Sequence, residues 1–167
     1  VQAAIRQTVE HFGALDILVN NAGVLSWGPL EELTLEGLDR TLAVNVRCVF
    51  VACQEAARHM YDGERIINIG SVNADRVPMA GGAIYAMSKS ALVGLTKGMA
   101  RDLGPRHITV NNVQPGPVDT ETNPADGEGA SQLKALMALQ RYGKAEEIAG
   151  FVSYLVGPEA GYITGAS

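Results

Sequence analysis

Residues 65–71 read Arg-Ile-Ile-Asn-Ile-Gly-Ser (RIINIGS). Three isoleucines within five residues make a short, β-branched, nearly continuous apolar run. Such a run suits a strand buried on both faces of a parallel sheet. Gly70 and Ser71 then mark the turn that ends it. Two further runs have the same form: Asp16–Asn20 (DILVN), followed by Asn21-Ala22-Gly23, and Ile108–Gln114 (ITVNNVQ), followed by Pro115-Gly116. Helical stretches are predicted around and between them, over Gln2–His11, Leu35–Met60, Ile84–Leu103, Ser131–Gln140 and Ala145–Val156. Gly13 and Gly104-Pro105 supply stops, Thr34 an N-cap, and Glu146 and Glu147 first-turn acids. Strands alternating with helices predict an α/β chain with a doubly wound parallel sheet in a three-layer α/β/α sandwich. Pro115–Gly129 is rich in Gly, Pro and Asp and reads as a mobile loop.

The bulk properties fit one domain over residues 1–167, with 47% hydrophobic and 19% charged residues. A net charge of −5 argues against broad nucleic-acid binding, which needs a basic face. Cys48 and Cys53 form no CxxC pair, and His11, His59 and His107 have no HExxH spacing. No metal site is expected, and the cysteines read as free thiols of a reducing compartment. No apolar run is long enough to span a membrane, and no signal peptide is visible, so a cytoplasmic location is expected. The chain starts at Val1 in mid-pattern, from which a longer natural protein is expected.

The chemistry centres on Tyr85 and Lys89, in the string YAMSK. Four residues apart on a helix, they share a face. An ammonium beside a phenol favours the phenolate, and a phenol tuned in this way exchanges protons near neutral pH. A Tyr–Lys pair alone is common on helix surfaces. Ser71 adds weight because it leaves a strand at its carboxyl end, where open α/β sheets bind ligands. Asn20-Asn21-Ala22-Gly23 and Pro115-Gly116 leave the other two strands on the same edge.

In this order, NNAG, S–x13–YxxxK and PG–x3–T resemble the short-chain dehydrogenase/reductase family, and the resemblance covers essentially the whole chain. It implies a Rossmann-like fold and hydride transfer between a nicotinamide cofactor and a small carbonyl or alcohol substrate. It implies that Tyr85 is the acid/base, Lys89 its partner and a ligand of the nicotinamide ribose, and Ser71 the residue orienting the carbonyl. Asn45, in LAVNV, matches the family's helix asparagine at a kink that holds a relay water. Asn20, Ala22 and Gly23 match positions on the adenine-ribose side of the cofactor. Pro115, Gly116, Val118 and Thr120 match the segment beside the nicotinamide. NAD(P)H is the implied cofactor, with NADP preferred, and a homodimer or homotetramer the implied assembly. The stretches GSVNADRVPMAGGAIYAMSKSAL and VQPGPVDTETNPA are most similar to members that bind cyclic-di-GMP and to members named 3-oxoacyl-acyl-carrier-protein reductase.

The family's glycine-rich TGxxxGxG turn, and the residue that separates NAD from NADP, have no counterpart in this sequence. The sheet is therefore expected to be incomplete at both ends, with Asp16–Asn20 an exposed apolar edge. Two alternatives to a working enzyme stand beside it. One is a non-catalytic regulator binding cyclic-di-GMP on the same fold; the other is an inactive piece. Trp27, Leu133, Leu136 and Met137 are read either as lining of an apolar pocket or as ordinary packing.

Overall fold

The computed structural model describes residues Val1–Ser167 in full. Three parallel strands, β1 (Ile17–Asn20), β2 (Arg65–Ile69) and β3 (Thr109–Val113), form a sheet in the order β1-β2-β3. Ile17 pairs with Arg65 and Asn20 with Asn68; Arg65 pairs with Thr109 and Ile69 with Val113. In this register the three carboxyl ends line up on one edge of the sheet.

Helices cover both faces. On one side lie α1 (Gln2–Phe12), α3 (Cys48–His59) and α4 (Ala83–Leu103), packing Ile5, Val49, Ala52, Cys53 and Leu92 against Ile66 and Val110. The other side is covered by α6 (Ala145–Val156), whose Leu155 meets Ile67 and Val113. Ile66 and Ile67 are adjacent, so they point to opposite faces, and both are fully buried. That is why β2 reads as a continuous apolar run, and the three-layer arrangement follows from it.

Local signals behave as their chemistry requires. Gly13 ends α1 in the left-handed conformation, at φ 82°. Thr34 caps α2 (Leu35–Leu42) by accepting the Gly37 N–H. Glu147 accepts the Lys144 N–H at the start of α6. Two expected helices differ. The predicted helix over Leu35–Met60 is divided by a π turn at Ala43–Arg47 between α2 and α3. The helix expected over Ser131–Gln140 is α5, Ala130–Leu136, and only Ala130 of it is buried. A short helix without a packed face has nothing to hold a further turn. The loop before it is stitched to the α6 side by a bridge between Val118 and Gly143.

β1 is an edge strand, and Ile17 and Val19 along it are exposed. Beside β3 the C-terminal segment makes contact: Gly165 N–H donates to Val110 O (2.7 Å) and Asn112 N–H to Ala166 O (2.9 Å). No helix is long and apolar enough to cross a membrane, and no group of His, Cys, Asp and Glu is arranged to hold a metal.

Candidate active site

The turn after β1 is held by one side chain from the π turn. Asn45 is buried, its Oδ1 accepts the Val24 N–H (2.8 Å), and its Nδ2 donates to Val24 O (2.9 Å). The amide thus pairs with a peptide group as a second backbone would. The same Nδ2 donates to Ser88 Oγ (3.0 Å), and Ser88 donates to the carbonyl of Tyr85 (2.7 Å). A single chain of hydrogen bonds therefore runs from Val24, the residue after the Asn20–Gly23 turn, to the helix turn that carries Tyr85. Ser88 was not singled out from the sequence. The signal was present, since it lies one helical turn after Tyr85 and directly before Lys89.

Ser71 ends β2 and is buried; its Oγ accepts the Asn73 N–H (3.1 Å), which starts a 3-10 turn at Val72–Ala74. Ser90 on α4 donates to Ala74 O (2.7 Å), and Val72 N–H donates to Pro115 O (3.1 Å). The corner after β2 is thus tied both to α4 and to the segment after β3. Lys89 reaches down from α4 to the end of β2, its Nζ donating to Ile69 O (2.8 Å) and lying 5.7 Å from the Tyr85 ring centroid. A Cβ placed on Gly23 would lie 3.5 Å from Lys89 Nζ and 3.6 Å from Asn45 Oδ1. Tyr85, Lys89, Ser71, Asn45 and Gly23 are therefore gathered at one end of the sheet.

The electrostatics differ from the simplest expectation. Burial pushes the Tyr85 phenol above its usual 10, and the neighbouring Ser71 hydroxyl pulls it part of the way back. Burial also brings the Lys89 ammonium down, from 10.5 to about 8. In this arrangement the Ser71 hydroxyl is what opposes the effect of burial on the phenol. Loss of water disfavours the charged form of each residue, and Lys89 spends one N–H on Ile69.

The other expected residues take distinct places. Asn20 turns its side chain under the sheet, donating to Asn68 Oδ1 (2.9 Å) and to Cys53 Sγ (3.2 Å), so only its backbone faces the edge. Ala22, Gly23, Gly116 and Thr120 are exposed. Around Val118, Gly143 donates to Pro117 O (3.0 Å) and accepts from Asp119 N–H (2.9 Å), which leaves Val118's own N–H and carbonyl free of backbone partners. Trp27 lies across Gly81 and Gly82, where a Cβ would come within 2.6 Å and 2.7 Å of its ring. Gly81 also has φ +96°, a backbone that favours glycine. Leu136 is exposed, and Leu133 and Met137 are half-buried.

A family model described as enoyl-(acyl carrier protein) reductase matches residues 1–167. A solved structure of the short-chain dehydrogenase/reductase from Serratia marcescens BCRC 10948 superposes with a TM-score of 0.98 at 77% identity, covering 99% of this chain and 68% of that one. The chain belongs to the short-chain dehydrogenase/reductase family. A short-chain dehydrogenase from Burkholderia cenocepacia J2315, solved in complex with NADP, matches with a TM-score of 0.97 at 55% identity over 99% of this chain and 67% of its own. Among curated proteins, the cyclic-di-GMP-binding biofilm dispersal mediator protein of Escherichia coli (strain K12) is 53% identical over 163 residues, 98% of this chain and 69% of its own length. The chain thus spans about two-thirds of the length of these relatives, with a 66% share for the oxidoreductase of Methylorubrum extorquens.

Proposed function

We propose that this protein is an NAD(P)-dependent oxidoreductase that interconverts a small carbonyl compound and its alcohol. Val1–Ser167 would be the catalytic part of one Rossmann-like domain. The observation that carries the reading is the convergence of Ser71, Tyr85 and Lys89 at the carboxyl edge, with Asn45 and Gly23 beside Lys89. A bound dinucleotide would supply or accept the hydride.

Each residue has a role that its surroundings permit. The phenol of Tyr85 gives its proton to the substrate oxygen in reduction and takes it back in oxidation. Ser71, whose hydroxyl neighbours that phenol, holds the same oxygen and favours the phenolate. Lys89 has two N–H bonds left after Ile69, which would donate to the ribose hydroxyls of a bound dinucleotide. Val118's free N–H and carbonyl fit the donor and acceptor of a carboxamide, with Thr120 at hand. Asn20, Ala22 and Gly23 would offer backbone to the adenine-ribose side of the dinucleotide, and Pro115 and Gly116 would belong to the segment beside its nicotinamide. Asn45 holds the first turn in place, and its π turn exposes backbone that a relay water would bind.

NADP is the preferred cofactor, because the Burkholderia relative was solved with it. The E. coli relative favours a second reading, binding of cyclic-di-GMP. A pure binder has no use for Ser71, Tyr85 and Lys89 together, so catalysis is the stronger reading. Tyr85→Phe separates the two: turnover of a carbonyl substrate falls at least ~100-fold while nucleotide binding persists. Near-normal turnover in that variant would overturn the assignment.

A further inference from the structure

Asn20, Asn68 and Asn112 stand in register on β1, β2 and β3, directly beneath the turns that carry the candidate site. They point to the same face, toward α3 and α4. Two of them are satisfied: Asn20 donates to Asn68 and Cys53, and Asn68 donates to Thr96 Oγ1 on α4 (2.9 Å). Asn112 is different. It is 4% exposed, and both its amide nitrogen and its amide oxygen are closed to solvent without a hydrogen-bond partner. A side chain of similar volume without polar atoms would fill the same space and leave nothing unpaired. Packing alone therefore does not account for an amide here.

What the amide touches is the backbone of Gly70. A Cβ at that residue would stand 2.6 Å from Asn112 Oδ1, 2.8 Å from Nδ2 and 3.1 Å from Cγ. Residue 70 has no left-handed backbone, so space rather than conformation demands glycine there. Gly70 is flanked by the two contacts that matter most. Its own N–H donates to Val113 O (2.7 Å), Ile69 before it gives its carbonyl to Lys89, and Ser71 follows it. Any shift of Gly70 therefore moves Ser71 against Tyr85.

We propose that Asn112 is a positioning residue, whose amide, pressed on the Gly70 backbone, sets where the end of β2 presents Ser71 to Tyr85. Residues 70 and 112 then form a coupled pair in which one must be glycine while the other is asparagine. The inference rests on the oxidoreductase reading for its consequence in rate, though the steric coupling stands without it.

A double-mutant cycle in the protein tests it. Gly70→Ala should lower the melting temperature and cut kcat at least ~10-fold, because displacement of a reacting group by a fraction of an ångström is costly. Dinucleotide affinity should be unchanged. Adding Asn112→Ala should restore most of both losses, whereas adding Asn112→Asp, which keeps the shape, should restore neither. If Gly70→Ala does not fold, Asn112→Ala and Asn112→Ser, both of which withdraw the amide from Gly70, carry the test alone. Each should lower kcat several-fold at unchanged KM for the dinucleotide, and move the alkaline midpoint of the pH–rate profile upward as Ser71 loses its hold on the phenol. Equal losses from Gly70→Ala in both backgrounds, or Asn112 variants with native kcat and pH profile, would overturn the proposal. Tyr85→Phe run in parallel separates the failures. An active Tyr85→Phe sinks the oxidoreductase reading, and an inactive one beside native-like Asn112 variants sinks only this inference.

Discussion

Lys89 shows how one residue's burial becomes a property of function. Its ammonium sits under α4 with only the Ile69 carbonyl as acceptor, and burial holds it at about 8. Because the value is lowered, the charged form is present below pH 8 and lost above it. Under the proposed role, the charged form is the one that donates to ribose hydroxyls. Dinucleotide affinity should therefore fall as pH rises through 8, by up to roughly tenfold per pH unit. Lys89→Met removes the charge, so affinity should drop about 10- to 100-fold at pH 7, the scale of a charge-assisted hydrogen bond. The variant should then show no change between pH 7 and 10. Fluorescence titration with NADPH at several pH values reads both effects, and a native protein whose affinity is flat across pH 8 would contradict the role.

At the scale of elements, α1 is docked on α3 through a buried carboxylate. Glu55 is closed to solvent, with Arg58 at 2.8 Å, His59 at 3.3 Å, Arg6 of α1 at 3.6 Å and Gln2 Nε2 at 3.4 Å. Burial opposes its charge, but hydrogen bonds from His59 and Arg58 and the charge of Arg6 outweigh it and hold the carboxyl below its usual 4.5. Because the value is lowered in the folded state, this stability is present above pH 4.5 and lost as pH falls through the folded value. Glu55→Gln should melt at a lower temperature than the native protein at pH 7, and the gap should narrow as pH falls below 4.5 and through the folded value. A constant gap would show that the ions contribute nothing. None of this was legible in the sequence, where Glu55 is a single acid in an apolar helix. The strands and the three turns at their ends were legible, because burial on both faces leaves an unbroken β-branched run. The π turn was not legible from periodicity, since one inserted residue does not disturb an apolar pattern that is nearly continuous around the helix; only the resemblance, which puts a kink at Asn45, pointed to it. The asparagine row was equally hidden. It exists only once registers bring residues 20, 68 and 112 side by side. The Tyr85–Lys89 spacing brings the Lys89 ammonium to 5.7 Å from the Tyr85 ring, and the influence of the Ser71 hydroxyl on the phenol is visible only once β2 and α4 are packed together.

For the molecule as a whole, the outer side of the helical layer carries an open apolar groove. Leu42, Val46, Phe50 and Leu95 line it from α2, the π turn, α3 and α4, and Phe50 is 45% exposed. The inner side of α3 already buries Val49, Ala52, Cys53 and Ala56 in the core, so the helix is apolar nearly all round. Such a helix is usually covered on both sides. Glu36 and Asp39 border the groove together with Arg40 and Arg47, so the patch carries both signs of charge. A patch with both signs can be self-complementary, as a two-fold contact between copies requires. A homodimer, one of the two assemblies that the resemblance implies, is predicted to form here. Phe50→Glu should shift the protein from dimer to monomer in sedimentation velocity, because a carboxylate would be buried without a partner. A dimer that survives Phe50→Glu would overturn this placement and leave the groove without the partner assigned to it.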